Sequence, residues 1–259
     1  MRRSRGPFSV LTWTTARLLV VAACISAQAI WLPAAAAAPD LAGTTVFLDP
    51  GHSGITDASA ARQVPAGRGA TKECQTSGAS TDDGYSEHAF NWDVTLRIQQ
   101  ALNARGVHTQ LSRQDDSSAG PCVDQRAAAA NAMHPDVIVS VHADGGPASG
   151  RGFHVNYSAP PLNDAQAGPA MALATTMRDA LVASGIQEST YIGADGLYGR
   201  ADLAGLNLAQ YPAVLVELGN MRNADEAAQM ETPEGRQRYA DAVTQGIVAY
   251  LSQRTTPPG

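Results

Sequence analysis

Lysine is nearly absent from this 259-residue chain. Of its 18 basic residues only Lys72 is a lysine, and the arginines form no run or stripe. With a net charge of −6, that excludes the electrostatic footprint of a nucleic-acid binder. It also removes any bulk attraction to an anionic polymer, so an anionic substrate has to be met by a few local cations. Aromatic residues are scarce at 5%, so the core must be built from Ala, Val, Leu and Ile. Of the three cysteines, the two in the body of the chain, Cys74 and Cys122, are too few for a Cys-rich zinc site. No self-similar period marks a repeat protein. What is present, 44% hydrophobic and 16% charged residues, is the composition of a folded globular chain.

The amino terminus has the form of an export signal. Arg2, Arg3, Arg5 and Arg17 make a basic start, Leu18 to Leu32 is a mostly apolar stretch, and Ala34 to Ala38 supplies small residues. The apolar stretch is short for a membrane span. Cleavage after Ala37 is expected, giving a signal peptide over 1–37, a mature domain over 38–259 and no lasting membrane anchor. The alternatives are an uncleaved anchor, or a lipoprotein site at Cys24 with an unusually short apolar run before it. Cleavage takes the net charge from −6 to −10 and leaves two cysteines, Cys74 and Cys122. In an oxidising compartment an even pair suggests a disulfide, with two separate thiols as the alternative.

Apolar runs at Thr45–Leu48, Val107–Ser112, Val137–Val141 and Ala213–Val216 read as strands covered on both faces. Phe153–Tyr157 alternates and reads as an edge strand. Helices are expected over Glu87–Arg105, where Phe90, Val94, Ile98 and Leu102 recur every four residues before Gly106, and over Val123–Met133, Asn163–Ser184 and Thr232–Leu251. The alternation gives one α/β domain with a twisted, mostly parallel sheet flanked by helices. Ser53 to Ser86 shows no period and reads as a long functional loop.

Three ionisable residues follow directly on apolar runs: His52, His142 and Glu217. In a parallel sheet such positions gather along one edge, where open α/β proteins bind ligands. Glu87 opens the first helix, directly after the long loop. Two histidines and a carboxylate form one known ligand set for hydrolytic zinc, and a second carboxylate then serves as general base. Their wide spacing excludes a short helical metal motif.

The words around these residues carry a resemblance. Asp49-Pro50-Gly51-His52, Ser140-Val141-His142-Ala143-Asp144 and Pro212 through Asn220 look like signature segments of the zinc-dependent N-acetylmuramoyl-L-alanine amidases. Glu87 with Asn91, Leu111-Ser112-Arg113 with Asp116, and Arg126 through Asn131 match further family words in order. The resemblance covers Thr45 to Leu251 and is nearest to the short, stand-alone secreted mycobacterial type. It implies a six-stranded sheet, a Zn2+ ion held by His52, Glu87 and His142, and Glu217 as the catalytic carboxylate. The bond cut would be the amide joining N-acetylmuramic acid to L-alanine in peptidoglycan or muropeptides. The chain shows no wall-binding module, so small muropeptides become plausible substrates, and a monomer is expected.

Further expectations attach to single residues. His154 is a candidate neighbour of the site, and Asp49 or Asp144 could orient a ligand imidazole. Arg113 and Arg126 read as structural ion pairs. Arg62, Arg68 and Lys72 are candidates to meet peptide carboxylates, and Asn220 and Met221 to line the cleft. Competing functions are a zinc peptidase cutting within the stem peptide and an inert muropeptide-binding protein.

Overall fold

The structure is a computed structural model and describes Gly6 and residues 41–55 and 57–255. The expected export signal lies outside the described residues, apart from Gly6. In chain order, strand β1 (Thr45–Pro50) is followed by a 3-10 turn at Ala58–Ala61 and the hairpin strands β2 (Gln63–Gly67) and β3 (Ala70–Glu73). Next come helix α1 (Glu87–Asn103), β4 (His108–Leu111), α2 (Val123–Met133), β5 (Val137–Asp144) and β6 (His154–Ser158). The chain continues with α3 (Asp164–Ala167), α4 (Pro169–Ala183), β7 (Leu197–Arg200) and α5 (Ala204–Asn207). It closes with β8 (Ala213–Asn220), α6 (Ala224–Met230) and α7 (Pro233–Thr255). Among the described residues no helix is long and apolar enough to cross a membrane.

The main sheet has six strands in the order β4-β1-β5-β8-β6-β7. The first four run parallel, β6 is antiparallel to β8, and β7 is parallel to β6. This is the expected mostly parallel six-stranded sheet, with two corrections. The strand expected at an edge, β6, is internal, because β7 covers it. β7 escaped the pattern because Leu-Tyr-Gly-Arg holds no apolar run. The helix expected over Asn163–Ser184 is broken at Gly168-Pro169, where proline lacks the N–H that an uninterrupted helix needs.

Register sorts the side chains into two unlike faces. Val46, Leu48, Val137, Val139, Val141, Val155, Val214, Val216 and Leu218 all turn to one face and are almost wholly buried in the main core, which α1, α4 and α7 complete. Each such side chain is worth about 1.5–3 kcal/mol when fully buried. Phe90, Val94, Ile98 and Leu102 of α1 are all fully buried, as their period of four requires. Gly106, at φ +80°, lets the chain turn back so that the Val107 N–H reaches the Leu102 carbonyl at 3.2 Å.

The opposite face changes character along the strands. Its lower half is apolar, with Phe47, Ile138 and Ala213 under Ala130 of α2 and Leu206 of α5. Its upper half, toward the carboxyl ends of β1, β5 and β8, carries Asp49, Ser140, His142 and Glu217. The region expected as one long loop contains the β2–β3 hairpin, which lies over this half. Cys74, just after β3, is joined to Cys122, just before α2. The Cys74 carbonyl accepts the Val123 N–H at 2.9 Å, so the bridge and a backbone bond pin the hairpin to α2.

Candidate metal centre and catalytic cleft

His142 on β5 and Glu217 on β8 are register partners, and Glu217 is in turn opposite His154 on β6. Partners in register share a face, so the sheet itself lays these three side chains in a row. His52 joins them from the end of β1 and Glu87 from the first residue of α1. Residues far apart in sequence thus meet at one sheet edge.

His52 adopts φ +60°, a conformation that costs a non-glycine residue on the order of 1–3 kcal/mol. Its surroundings impose it: Arg126 Nη2 donates to the His52 carbonyl at 2.5 Å, and the ring Nδ1 lies 2.8 Å from the Thr76 carbonyl. An Nδ1–H donated to Thr76 fixes the tautomer and turns Nε2 inward, 3.1 Å from Glu87 Oε1. His142 Nδ1 approaches the same oxygen at 2.9 Å. Glu87 is held by the N–H groups of Ala79 at 2.7 Å and Ala143 at 3.2 Å, and by the Asn91 amide at 3.3 Å.

Burial alone would raise the Glu87 carboxyl, but the two imidazoles outweigh it and hold the group well below the ordinary range. Burial alone would lower His52, and the adjoining Glu87 carboxylate lifts it instead. Two imidazole nitrogens aimed at one carboxylate oxygen form a pocket for positive charge. The three donor atoms lie within 4.8 Å of one another, and they are the nitrogen and oxygen donors that zinc accepts. The surrounding backbone is shaped for close approach. A Cβ on Gly51 would collide with the His142 ring, and one on Gly78 would stand 2.7 Å from Glu87 Oε2 and 2.8 Å from His52 Cδ2. The residues therefore fit a three-ligand metal centre.

Glu217 has a different environment. Burial pushes its carboxyl well above the ordinary range, the negative charges of Glu87 and Asp144 push it further, and Arg200 pulls weakly the other way. Its Oε2 is buried with no hydrogen-bond partner among the described residues. The two carboxyls at the site are thus pushed in opposite directions, Glu87 down and Glu217 up.

His52, His142 and Glu217 line two neighbouring hollows. One, of about 250 Å3, extends beneath the hairpin toward Lys72, Gln75 and Arg200. The other, of about 410 Å3, opens toward Gly78, Ala79, Asp144 and Gly145.

The remaining expectations divide. Arg126 does bind Asp49 at 2.8 Å, and Arg113 binds Asp116 at 2.8 Å. Asp49 and Asp144 do not orient the imidazoles. Asp49 accepts from Ser112, Ser140 and Arg126, and Asp144 accepts from Tyr191 Oη at 3.0 Å. Arg62 and Arg68 anchor the hairpin instead of facing substrate: Arg62 Nη2 lies 2.9 Å from Cys122 Sγ, and Arg68 donates to Ser158 at 3.1 Å and Asn207 at 3.2 Å. Asn220 and Met221 are fully buried away from the cleft; the Asn220 amide donates to Pro147 at 2.7 Å and Gly150 at 2.8 Å. Sequence reasoning missed Thr76, which holds His52, and Arg200. Neither had a signal, because each depends on how the hairpin and β7 fold back over the sheet.

Residues 46–249 match the profile of the N-acetylmuramoyl-L-alanine amidase family. The chain is 60% identical to the N-acetylmuramoyl-L-alanine amidase Rv3717 of Mycobacterium tuberculosis over 235 residues, which is 90% of this chain and 98% of the relative. It is 61% identical to the crystal structure of an N-acetylmuramyl-L-alanine amidase from Mycobacterium smegmatis, with a TM-score of 0.82 over 83% of this chain and all of that one. An amidase structure from Clostridium difficile, at 21% identity and a TM-score of 0.64 over 80% of this chain and 96% of that one, shares the fold. By family profile, by a close relative and by architecture, the chain belongs to the N-acetylmuramoyl-L-alanine amidases and is a hydrolase of that family.

Proposed function

We propose that the protein is a zinc-dependent hydrolase that cuts the amide between the lactyl group of N-acetylmuramic acid and L-alanine, in peptidoglycan or its fragments. The observation that carries this reading is the pairing of a His52–Glu87–His142 donor set with a second buried carboxyl, Glu217, in register with His142 on the next strand. Zinc bound by the trio would supply a Lewis acid for the scissile carbonyl and make water a nucleophile at neutral pH. Thr76 keeps the His52 ring in the ligating tautomer. Asn91, Ala79 and Ala143 keep Glu87 aimed and ionised. Glu217, acting as a carboxylate, accepts a proton from the attacking water and then delivers it to the nitrogen of the departing alanine. Its raised pKa makes the acid form easy to reach, which the second half of that cycle requires.

Residues 1–37 act in this reading as a cleaved export signal and 38–259 as the catalytic domain, monomeric and working outside the cytoplasm on the cell wall. The Cys74–Cys122 bridge suits that compartment. The test is digestion of isolated peptidoglycan by the purified protein, with mass spectrometry of the products and a chelated control. Free peptides beginning with L-alanine, lost on chelation and restored by zinc, are expected. Fragments cut within the peptide would overturn the assignment of the bond, and undiminished activity in chelator would overturn the metal.

A further inference from the structure

We infer that the arm of the cleft beneath the β2–β3 hairpin is an anion-binding subsite in which Lys72 and Arg200 take a carboxylate from the peptide side of the substrate. The inference rests on the amidase reading above. The two arms that meet at Glu217 differ in charge. Among the described residues no lysine or arginine lines the arm toward Asp144 and Gly145. The arm under the hairpin is lined by Lys72, Arg200 and Arg126. Arg126 is already committed, to Asp49 and to the carbonyls of Pro50 at 2.8 Å, His52 at 2.5 Å and Pro121 at 3.0 Å. Lys72 carries no such commitment, and Arg200 only part of one. The single lysine of the whole chain is half-buried in this arm, and its one hydrogen bond among the described residues is a long one, 3.4 Å to the Asp202 carbonyl. Arg200 spends Nε and Nη2 on the exposed Asp202 carboxylate, at 2.8 and 2.7 Å. Its Nη1 has no hydrogen-bond partner among the described residues, and its guanidinium lies over the Tyr198 ring at 5.1 Å, which fixes its direction. Glu73, also on this arm, is exposed at the rim.

The chemistry of the substrate assigns the arms. Muramic acid has one carboxyl, and it is consumed in the scissile amide, so the sugar side is neutral. The peptide side carries free carboxylates at its acidic residues and its end. A carboxylate bound by Lys72 and Arg200 places the peptide under the hairpin and leaves the sugar hydroxyls to the Asp144 arm. Charge-assisted hydrogen bonds of this kind are the strong ones.

The test uses the full chain and two short peptides beginning with L-alanine, identical except that one carries a free side-chain carboxylate at its second residue and the other the carboxamide. Calorimetry reads their binding, and cleavage of the matching muramyl peptides is followed in parallel. The wild type is expected to bind the carboxylate form about tenfold more tightly, with Lys72→Gln and Arg200→Gln each reducing that ratio toward one. Equal binding of the two peptides by the wild type would overturn the inference, as would a ratio that survives both substitutions. Loss of cleavage of both muramyl substrates with the binding ratio intact would instead overturn the amidase reading and leave the subsite standing.

Discussion

The histidine opposite Glu217 makes the stability of the fold depend on pH in a calculable way. His154 is 2% exposed, its Nδ1 has no partner among the described residues, and Tyr191 and Tyr198 meet its ring edge-on. Burial pushes its pKa from 6.5 to about 4, against a modest opposing pull from Asp144. Between those two values the unfolded chain binds a proton that the folded chain refuses, so stability falls as the pH drops through this window. At pH 4.5 the imidazole of the unfolded state is almost fully charged and that of the folded state mostly neutral, a penalty of about 2.5 kcal/mol; at pH 7 it is nearly zero. His154→Phe removes the titration while keeping a ring between the two tyrosines. Urea denaturation of both proteins at pH 7 and 4.5, in chelator so that metal release adds nothing, gives the comparison. The variant is expected to lose about 2 kcal/mol less than wild type on acidification. Equal losses would mean that His154 is protonated in the folded state, and the account of its burial would fall.

Other perturbations follow from the same geometry. Glu217→Ala should lower kcat by at least about a hundredfold while zinc content, read by atomic emission, stays near one per chain, whereas Glu87→Ala should lose the metal itself. Asp49 would be raised by burial alone, but Arg126 and the hydroxyls of Ser112 and Ser140 hold it well below 3.8. Its stabilisation is therefore complete above that value and lost as the pH falls below it. Asp49→Asn should cost about 3–5 kcal/mol at pH 7, and the gap between variant and wild-type melting temperatures should narrow in acid. Reducing Cys74–Cys122, which spans 48 residues, removes up to about 4 kcal/mol. Because Thr76 follows Cys74 by two positions, a chelator-competition assay should also show weaker zinc binding after reduction.

The main core was legible because it obeys simple periods. Phe90, Val94, Ile98 and Leu102 repeat every four residues and are all buried, and the apolar runs at Val137–Val141 and Ala213–Val216 are both strands of the sheet. β7 and the break at Gly168-Pro169 were less visible. The first is a strand by virtue of its neighbour and not of its own residues. The second interrupts an apolar pattern that continues on either side. Hydrophobic pattern reports what a segment buries, and an edge strand such as β7 buries little of its own.

The site was legible for a related reason. Val139-Ser140-Val141-His142 and Val214-Leu215-Val216-Glu217 look like continuous apolar runs with a polar end, yet they are alternating strands whose second face turns polar only near the carboxyl edge. That switch puts His142 and Glu217 in one row while the face behind them stays apolar, so the chemistry gains a rigid floor without opening the main core. His52 and Glu87 need more than strand position. One takes a left-handed backbone that Arg126 and Thr76 impose, and the other a helix start capped from Ala79. These supports come from the segment between β3 and α1 and from α2, which no periodicity in the sequence ties to the sheet. The candidate ligands could therefore be named from their local words, whereas Thr76, which holds the His52 ring, and Arg200, which lines the cleft, became visible only once the hairpin and β7 were folded over it.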